Sequence, residues 1–213
     1  MGRVGACRPF GLGHEDIKEM AGIYVATKEI ERISHQLGED VEVFYKKEAD
    51  LSLSCNIIPI KSVPMMYICM DGTGVPVVKT ETVNRQGNGE DGHAKTREAK
   101  LGCIFTQSTL DEKGYPIRDE TSTSYVGAIK TAEAFGGRIY TEAMSRGLEM
   151  AQKVCVIGDG APWIWNIADE QFYGAIQIID LYHAREHYWN VAKATLTVIK
   201  EKIIHVQING VRD

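Results

Sequence analysis

Two aspartates in this chain stand in the same setting, each directly after a short apolar run and each followed by a glycine. Asp71 follows residues 66–70, and Asp159 follows residues 154–157 and one glycine. Short apolar runs predict buried strands, and α/β folds place their chemistry at the carboxyl ends of such strands. Two carboxylates on neighbouring strand ends can share hard divalent cations through oxygen ligands. The pattern therefore indicates a metal site formed by Asp71 and Asp159.

The chemistry that such a pair supports is phosphoryl transfer with Mg²⁺ (or Mn²⁺). Two ions about 4 Å apart stabilise the attacking and the leaving oxygen of an in-line displacement. Glycines near the aspartates allow a polymer backbone to come close: Gly72 and Gly74 after Asp71, and Gly158 and Gly160 on either side of Asp159. Asp-Gly after a strand is also an ordinary turn signal. A turn is therefore the alternative for either aspartate taken singly.

A third polar cluster, residues 180–189, joins acids and histidines to aromatic residues. On a helix His183 and His187 lie one turn apart and can bind a metal, although the order H-E-x-x-H is missing. The alternative is an aromatic-rich helix start that packs on the sheet, with Asp180 as its N-cap.

Composition narrows the class of protein. The 213 residues have a formal net charge of -5 and are 44% hydrophobic, which is typical of a soluble globular protein. This charge is no global signature of nucleic-acid binding, although local patches can carry such contacts. The five cysteines form no CxxC pair, which favours reduced thiols. No apolar run reaches the roughly 18 residues of a membrane span, so we expect a cytoplasmic protein without a membrane partner.

The chain divides into three predicted parts. Residues 1–50 are a helical segment, irregular over residues 1–13, with helices from His14 and from Thr27 to Gly38 that are compatible with a helix-turn-helix. A plain αα-hairpin is the alternative. Residues 51–64 hold two prolines and form a linker. Residues 65–213 form the main domain.

The main domain reads as β-β-β-α-β-α-β-α. Its first strand ends at Asp71, a returning strand starts near residue 75, and a polar loop fills residues 80–100. The predicted order begins with three antiparallel strands and a crossover helix, and parallel strands with helices on both faces follow. This is the order of a ribonuclease H-like fold. The fold class is therefore α/β with a mixed sheet. The polar loop 80–100 is interpreted as a solvated loop or as one that contacts phosphates. The candidate DNA contacts of the whole chain are Lys28, Arg32, Arg85, Lys95 and Arg97.

Three motifs together resemble the core of DDE transposases of bacterial insertion sequences, specifically the ISKra-type group. They are M-D-G-T-G-V-P at residues 70–76, V-I-G-D-G-A-P-W-I-W-N at 156–166 and I-I-D-L-Y-H-A-R-E-H-Y-W at 178–189. The resemblance covers about residues 15–200. It implies a ribonuclease H-like catalytic domain that cuts and rejoins transposon ends in DNA with Mg²⁺ or Mn²⁺. An intact relative is expected to be a homo-oligomer.

By this resemblance Asp71 matches the first catalytic aspartate and Asp159 the second, and both bind the ions. Asp180 and His183 match the D-x-x-H signature, which is C-x-x-H elsewhere in this group and in Mutator-like relatives. His183 then orients the site or contacts a phosphate. Residues 14–38 resemble the DNA-binding portion of the family.

One departure from the family concerns its third acid, a glutamate on a helix beyond Asp180. Neither Glu186 nor Glu201 matches that motif, so the identity of the third acid stays open. We therefore expect a truncated or frameshifted transposase that is inactive as it stands. The alternatives are a non-catalytic DNA-binding remnant that occupies transposon ends, and an unrelated α/β metal-dependent phosphatase or nuclease.

Overall fold

A computed structural model describes residues 1–54, 63–87 and 92–209 of the chain. The chain divides into two compact units, Met1–Ile57 and Ile58–Asp213. Residues 55–62, within the predicted linker 51–64, lie outside the described residues, as do residues 88–91 of the predicted loop.

The N-terminal unit consists of three helices: α1 (Gly2–Cys7), α2 (Phe10–Ala21) and α3 (Thr27–Ser54). Its centre is Ile30, which is fully buried. Gly13 packs closely beside it, since a Cβ atom there would lie 2.5 Å from Val4. The prediction that residues 1–13 are irregular is wrong, because their glycines allow close helix contacts. The expected helix end at Gly38 is also wrong, since α3 continues through it.

In its described residues the second unit holds a five-stranded sheet, a short two-stranded hairpin and three α-helices. Its strands are β1 (Val63–Pro76), β2 (Thr96–Gln107), β3 (Thr109–Leu110), β4 (Pro116–Ile117), β5 (Ser124–Ala128), β6 (Ala151–Gly158) and β7 (Ile176–Ile179). Its helices are α4 (Ala132–Ser145), α5 (Pro162–Gln171) and α6 (Leu181–Asn209). The short strands β3 and β4 form a separate hairpin.

The five long strands form one mixed sheet in the order β5-β2-β1-β6-β7. The pairs β5–β2 and β2–β1 are antiparallel, and the pairs β1–β6 and β6–β7 are parallel. The unit is therefore α/β with a mixed sheet, as the sequence predicts. The parallel connections pass through α4 and α5, which supply the crossovers that parallel neighbours require.

The hairpin of β1 and β2 is longer than the sequence predicts. Residues 71–76 remain in β1 and pair with residues 96–101 of β2. The returning strand therefore starts at Thr96 and not near residue 75, and the last part of the predicted loop 80–100 is strand. Asp71 lies within this hairpin, but beyond Cys69, the last residue of β1 that pairs with β6.

The core lies between one face of the sheet and the helices α4 and α5. Strand residues 66, 68, 70, 104, 126 and 156 turn buried side chains to this face. Phe135 of α4 contacts the ring edge of Trp163 of α5, and Gly136 of α4 packs against Ile167. The sequence predicts helices on both faces of the sheet. In the structure α4 and α5 both cover the same face.

Replacement of Gly158 by valine should destabilise the second unit by about 1–3 kcal/mol. A Cβ atom at Gly158 would lie 2.7 Å from Cγ2 of the fully buried Ile164, so α5 has to move away from the end of β6. Gly137→Ala is the control, because nothing lies within 4 Å of its Cβ position. It should stabilise α4 by about 0.5–1 kcal/mol. Urea unfolding of both variants measures the difference, and equal effects would contradict the close contact.

Candidate metal centre

Three side chains from separate elements converge at the carboxyl end of β6. A carboxylate oxygen of Asp71, one of Asp159 and a ring nitrogen of His183 all lie within 4.8 Å of one another. Asp71 is exposed, and the other two side chains are half-buried. His187, one helical turn further, is not part of this group. Among the described residues, no other acid, cysteine or histidine belongs to it.

The register of β1 determines where Asp71 lies. Cys69 pairs with Ile157 on β6, so Asp71 extends two residues past the shared ladder, beside the turn that follows β6. On the other side Asp71 pairs with Leu101 of β2, which holds the backbone in place. Its Oδ1 accepts a hydrogen bond of 2.7 Å from the N–H of Gly72. Its Oδ2 atom is left for a further ligand.

A tight turn between β6 and α5 presents Asp159. Its Oδ1 accepts a hydrogen bond of 2.8 Å from the N–H of Ala161. Gly160 has φ +101°, a conformation that side chains other than glycine rarely adopt. Pro162 then opens α5 with its fixed φ. The glycine and the proline therefore determine how the carboxylate leaves the strand.

His183 enters the site from the first turn of α6. Asp180 Oδ1 accepts hydrogen bonds from the N–H groups of Tyr182 (2.6 Å) and His183 (3.3 Å). Asp180 therefore caps the helix, the role named as the alternative for this residue. The Asp180 N–H donates to Gly158 O at 2.8 Å, which ties the start of α6 to the end of β6. The capped helix start places the imidazole beside the two carboxylates.

Neighbouring thiols do not contribute to the group. Burial, together with the neighbouring Cys103, raises the pKa of Cys69, two residues before Asp71, to about 11. Among the described residues no cysteine belongs to the group. The donor set of the centre is therefore two carboxylates and one imidazole.

This donor set fits a divalent cation. Carboxylate oxygens suit Mg²⁺ and Mn²⁺, whereas an imidazole nitrogen favours Mn²⁺ over Mg²⁺ in the usual order of affinities. The Nδ1 atom of His183 is buried and has no hydrogen-bond partner. The nearest acid, Asp180 Oδ1, is 3.7 Å away, which is too long for a hydrogen bond. One ring nitrogen of His183 lies within 4.8 Å of both carboxylates, and an imidazole with an unpartnered buried nitrogen is consistent with a metal ligand.

The predicted DNA contacts fall in different places. Lys28 and Arg32 lie on α3 of the N-terminal unit. Arg32 forms two hydrogen bonds to the Glu29 carboxylate, at 2.6 and 2.9 Å, and these lower the pKa of Glu29. In the second unit Arg85 and Arg97 line a cleft next to α4, and Lys95 is not among its lining residues.

The sequence interpretation missed one residue near the centre, Lys100. It is 6% exposed and lies on the buried face of β2, in register with Gly72. Its position was predicted as loop. No alternation in the sequence identifies it, because Leu101 and Cys103 are the apolar neighbours, whereas residues 100, 102 and 104 are the buried ones in the structure. A lysine at a core position of a strand calls for a compensating partner.

Comparison with models of known protein families gives no match for this chain, and comparison with curated proteins gives none. No described helix combines the length and the apolar character that crossing a bilayer requires.

Proposed function

We propose that this chain is part of a DDE-type transposase and that Asp71, Asp159 and His183 bind the divalent ions for DNA strand cleavage and strand transfer. The observation that carries the proposal is the convergence of three donor groups, from β1, the β6–α5 turn and α6, within 4.8 Å. These residues come from the three motifs that resemble the transposase family.

The fold supports the same proposal. The sheet has the order β5-β2-β1-β6-β7, in which β2 is antiparallel to its neighbours and β6 and β7 are parallel to β1. This arrangement is consistent with a ribonuclease H-like fold. Asp71 and Asp159 follow neighbouring central strands in this order. Acids at neighbouring strand ends are where an open α/β sheet places a ligand site.

The residues of the chain have separate roles in the proposed chemistry. Bound Mg²⁺ or Mn²⁺ would supply charge stabilisation for a phosphoryl transfer. Asp71 and Asp159 would hold the cation through carboxylate oxygens, and the Oδ1 atom of each also accepts a backbone N–H, which orients the carboxylate. His183 would add a nitrogen ligand or contact the substrate phosphate. Asp180 keeps His183 in place by capping α6.

In our proposal, DNA cleavage requires a third acid in addition to Asp71, Asp159 and His183. The family uses three acids, and in the described part of the chain two carboxylates form the centre. The side chain of Glu201 lies outside the described residues. We therefore propose that the chain binds metal and DNA but does not cleave alone.

A plasmid assay tests this proposal. The chain is incubated with supercoiled DNA that carries insertion-sequence ends, with Mg²⁺, with Mn²⁺ or with EDTA. We expect a gel shift without nicking. Nicking that depends on Mn²⁺ and is lost in Asp159→Asn would show that the catalytic site is complete. It would contradict the proposal that the chain does not cleave alone. Binding that is the same with EDTA and for Asp71→Asn would favour the non-catalytic remnant. No binding at all would contradict the transposase function.

A further inference from the structure

We propose that the second unit has a phosphate-binding cleft beside α4, separate from the candidate metal centre, that holds a backbone phosphate of the nucleic-acid strand. The cleft has a volume of about 470 Å³ and is bordered by the loop before β2, by β2 itself and by the start of α4. That the ligand is a nucleic-acid strand rests on the proposed function. That the cleft binds a phosphate group is argued from its own residues.

Charge is the first argument. Four of the eight lining residues are cationic, Arg85, Arg97, Lys100 and Lys130, and they outnumber the two neighbouring acids, Glu98 in the lining and Glu81, which pairs with Arg97. The chain as a whole has a net charge of -5. A local positive cleft in an acidic protein concentrates anions there, because the surrounding wall screens charges less than water does.

The floor of the cleft is a buried amine. Lys100 is 6% exposed and forms an ion pair with Glu98. Its Nζ also donates to Lys130 O at 3.3 Å and lies 5.2 Å from the ring centroid of Trp163. These contacts hold the ammonium group in one place, so little freedom is lost when an anion binds to it.

Arg97, in the wall of the cleft, is also held in place by its contacts. Arg97 donates to Glu81 Oε2 at 2.8 Å and to Ile129 O at 3.0 Å. The guanidinium group therefore spans from the loop before β2 to the segment before α4. Thr131 and Ala134 border the cleft at the N-terminus of α4, where the positive end of the helix dipole adds to the attraction for an anion.

The cleft lies close to the candidate metal centre along the β1–β2 ladder. Lys100 pairs with Gly72, the residue after Asp71. Alternation along the strand turns Lys100 to the α4 side of the ladder and Asp71 to the other side. Cationic side chains that contact phosphates contribute affinity without reading sequence.

Fluorescence anisotropy with a labelled single-stranded 20-mer oligothymidine, in EDTA, tests the cleft. The double variant Arg85→Gln/Lys130→Gln removes two exposed cations at the rim and leaves the buried Lys100 intact. We expect about tenfold weaker binding. The slope of log affinity against log salt should fall by about 1.4, at about 0.7 for each phosphate contact to a single strand.

The matched control is Lys113→Gln/Lys153→Gln, which removes the same charge from exposed positions of the same unit outside the cleft. It should bind like the wild type. Equal weakening by both double variants would overturn the proposal, and so would a wild type that binds neither the oligonucleotide nor inorganic phosphate. Inorganic phosphate is the second probe. If it binds in a way that depends on Arg85 and Lys130 while the oligonucleotide does not bind, the phosphate site stands with a small-molecule ligand.

This experiment is independent of the candidate metal centre, because EDTA removes divalent ions. Cleft-dependent binding of the oligonucleotide, together with a failure of the chain to bind metal, would contradict the proposed function and leave the cleft in place.

Discussion

Asn in place of Asp159 should weaken Mn²⁺ binding by about 100-fold or more. Loss of a group that only supports a metal ligand typically costs 10–100-fold in affinity, and Asp159 is proposed as a ligand itself. The amide oxygen of asparagine can still accept the hydrogen bond from Ala161 N–H, so the turn after β6 keeps its shape. The change therefore removes charge at the centre without unfolding it. Isothermal titration of both proteins with Mn²⁺ measures the effect.

The control for this prediction is Asp169→Asn on α5. Asp169 is exposed, lies outside the cluster, and accepts a hydrogen bond of 2.6 Å from Gln177, which asparagine can also accept. It should leave Mn²⁺ affinity unchanged. If Asp159→Asn also binds Mn²⁺ as tightly as the wild type, Asp159 is not a ligand.

Phe135→Ala should reduce the free energy of unfolding of the second unit by about 3–5 kcal/mol. The side chain is fully buried and contacts the ring of Trp163 edge to face, with centroids 5.8 Å apart. It also lies against Gly102 of β2, so its loss leaves a cavity between the sheet and both helices. Since domains are stable by only about 5–15 kcal/mol, this is a large fraction of the total.

Tyr173→Ala is the matched aromatic control, since this side chain is 97% exposed. It should change the free energy of unfolding by less than about 0.5 kcal/mol. Chemical unfolding followed by tryptophan fluorescence compares the two variants. Similar small effects would mean that α4 does not pack on the sheet as described.

The approach of Asp71 to Asp159 was predictable from the sequence for a physical reason. The runs before these residues are apolar throughout, which is typical of central strands buried on both faces. Neighbouring parallel strands bring their carboxyl ends to one edge of the sheet. The convergence follows once β1 and β6 are neighbours.

The extension of β1 past Asp71 was not predictable by the same rules. Gly72 and Gly74 indicate a turn when read locally, but both pair with β2. Trp163 and Glu98 lie where a side chain on Gly72 would be. Tertiary contacts therefore override the local turn preference, as they often do for strands.

The glycines of α4 show the same limit of local rules. A Gly-Gly pair is a weak point in an isolated helix, yet α4 is continuous through Gly136 and Gly137. A Cβ atom on Gly136 would lie 3.2 Å from Ile167 of α5. The glycine therefore allows a close contact between helices that a local propensity cannot express.

Anomalous diffraction from crystals grown with Mn²⁺ tests the central claim most directly, since it locates the ion itself. We predict a peak between Asp71 and Asp159, with one oxygen of each carboxylate and a ring nitrogen of His183 at roughly 2.0–2.6 Å, the range for divalent cations and their protein ligands. A peak elsewhere, or none at this position at millimolar Mn²⁺, would contradict the account.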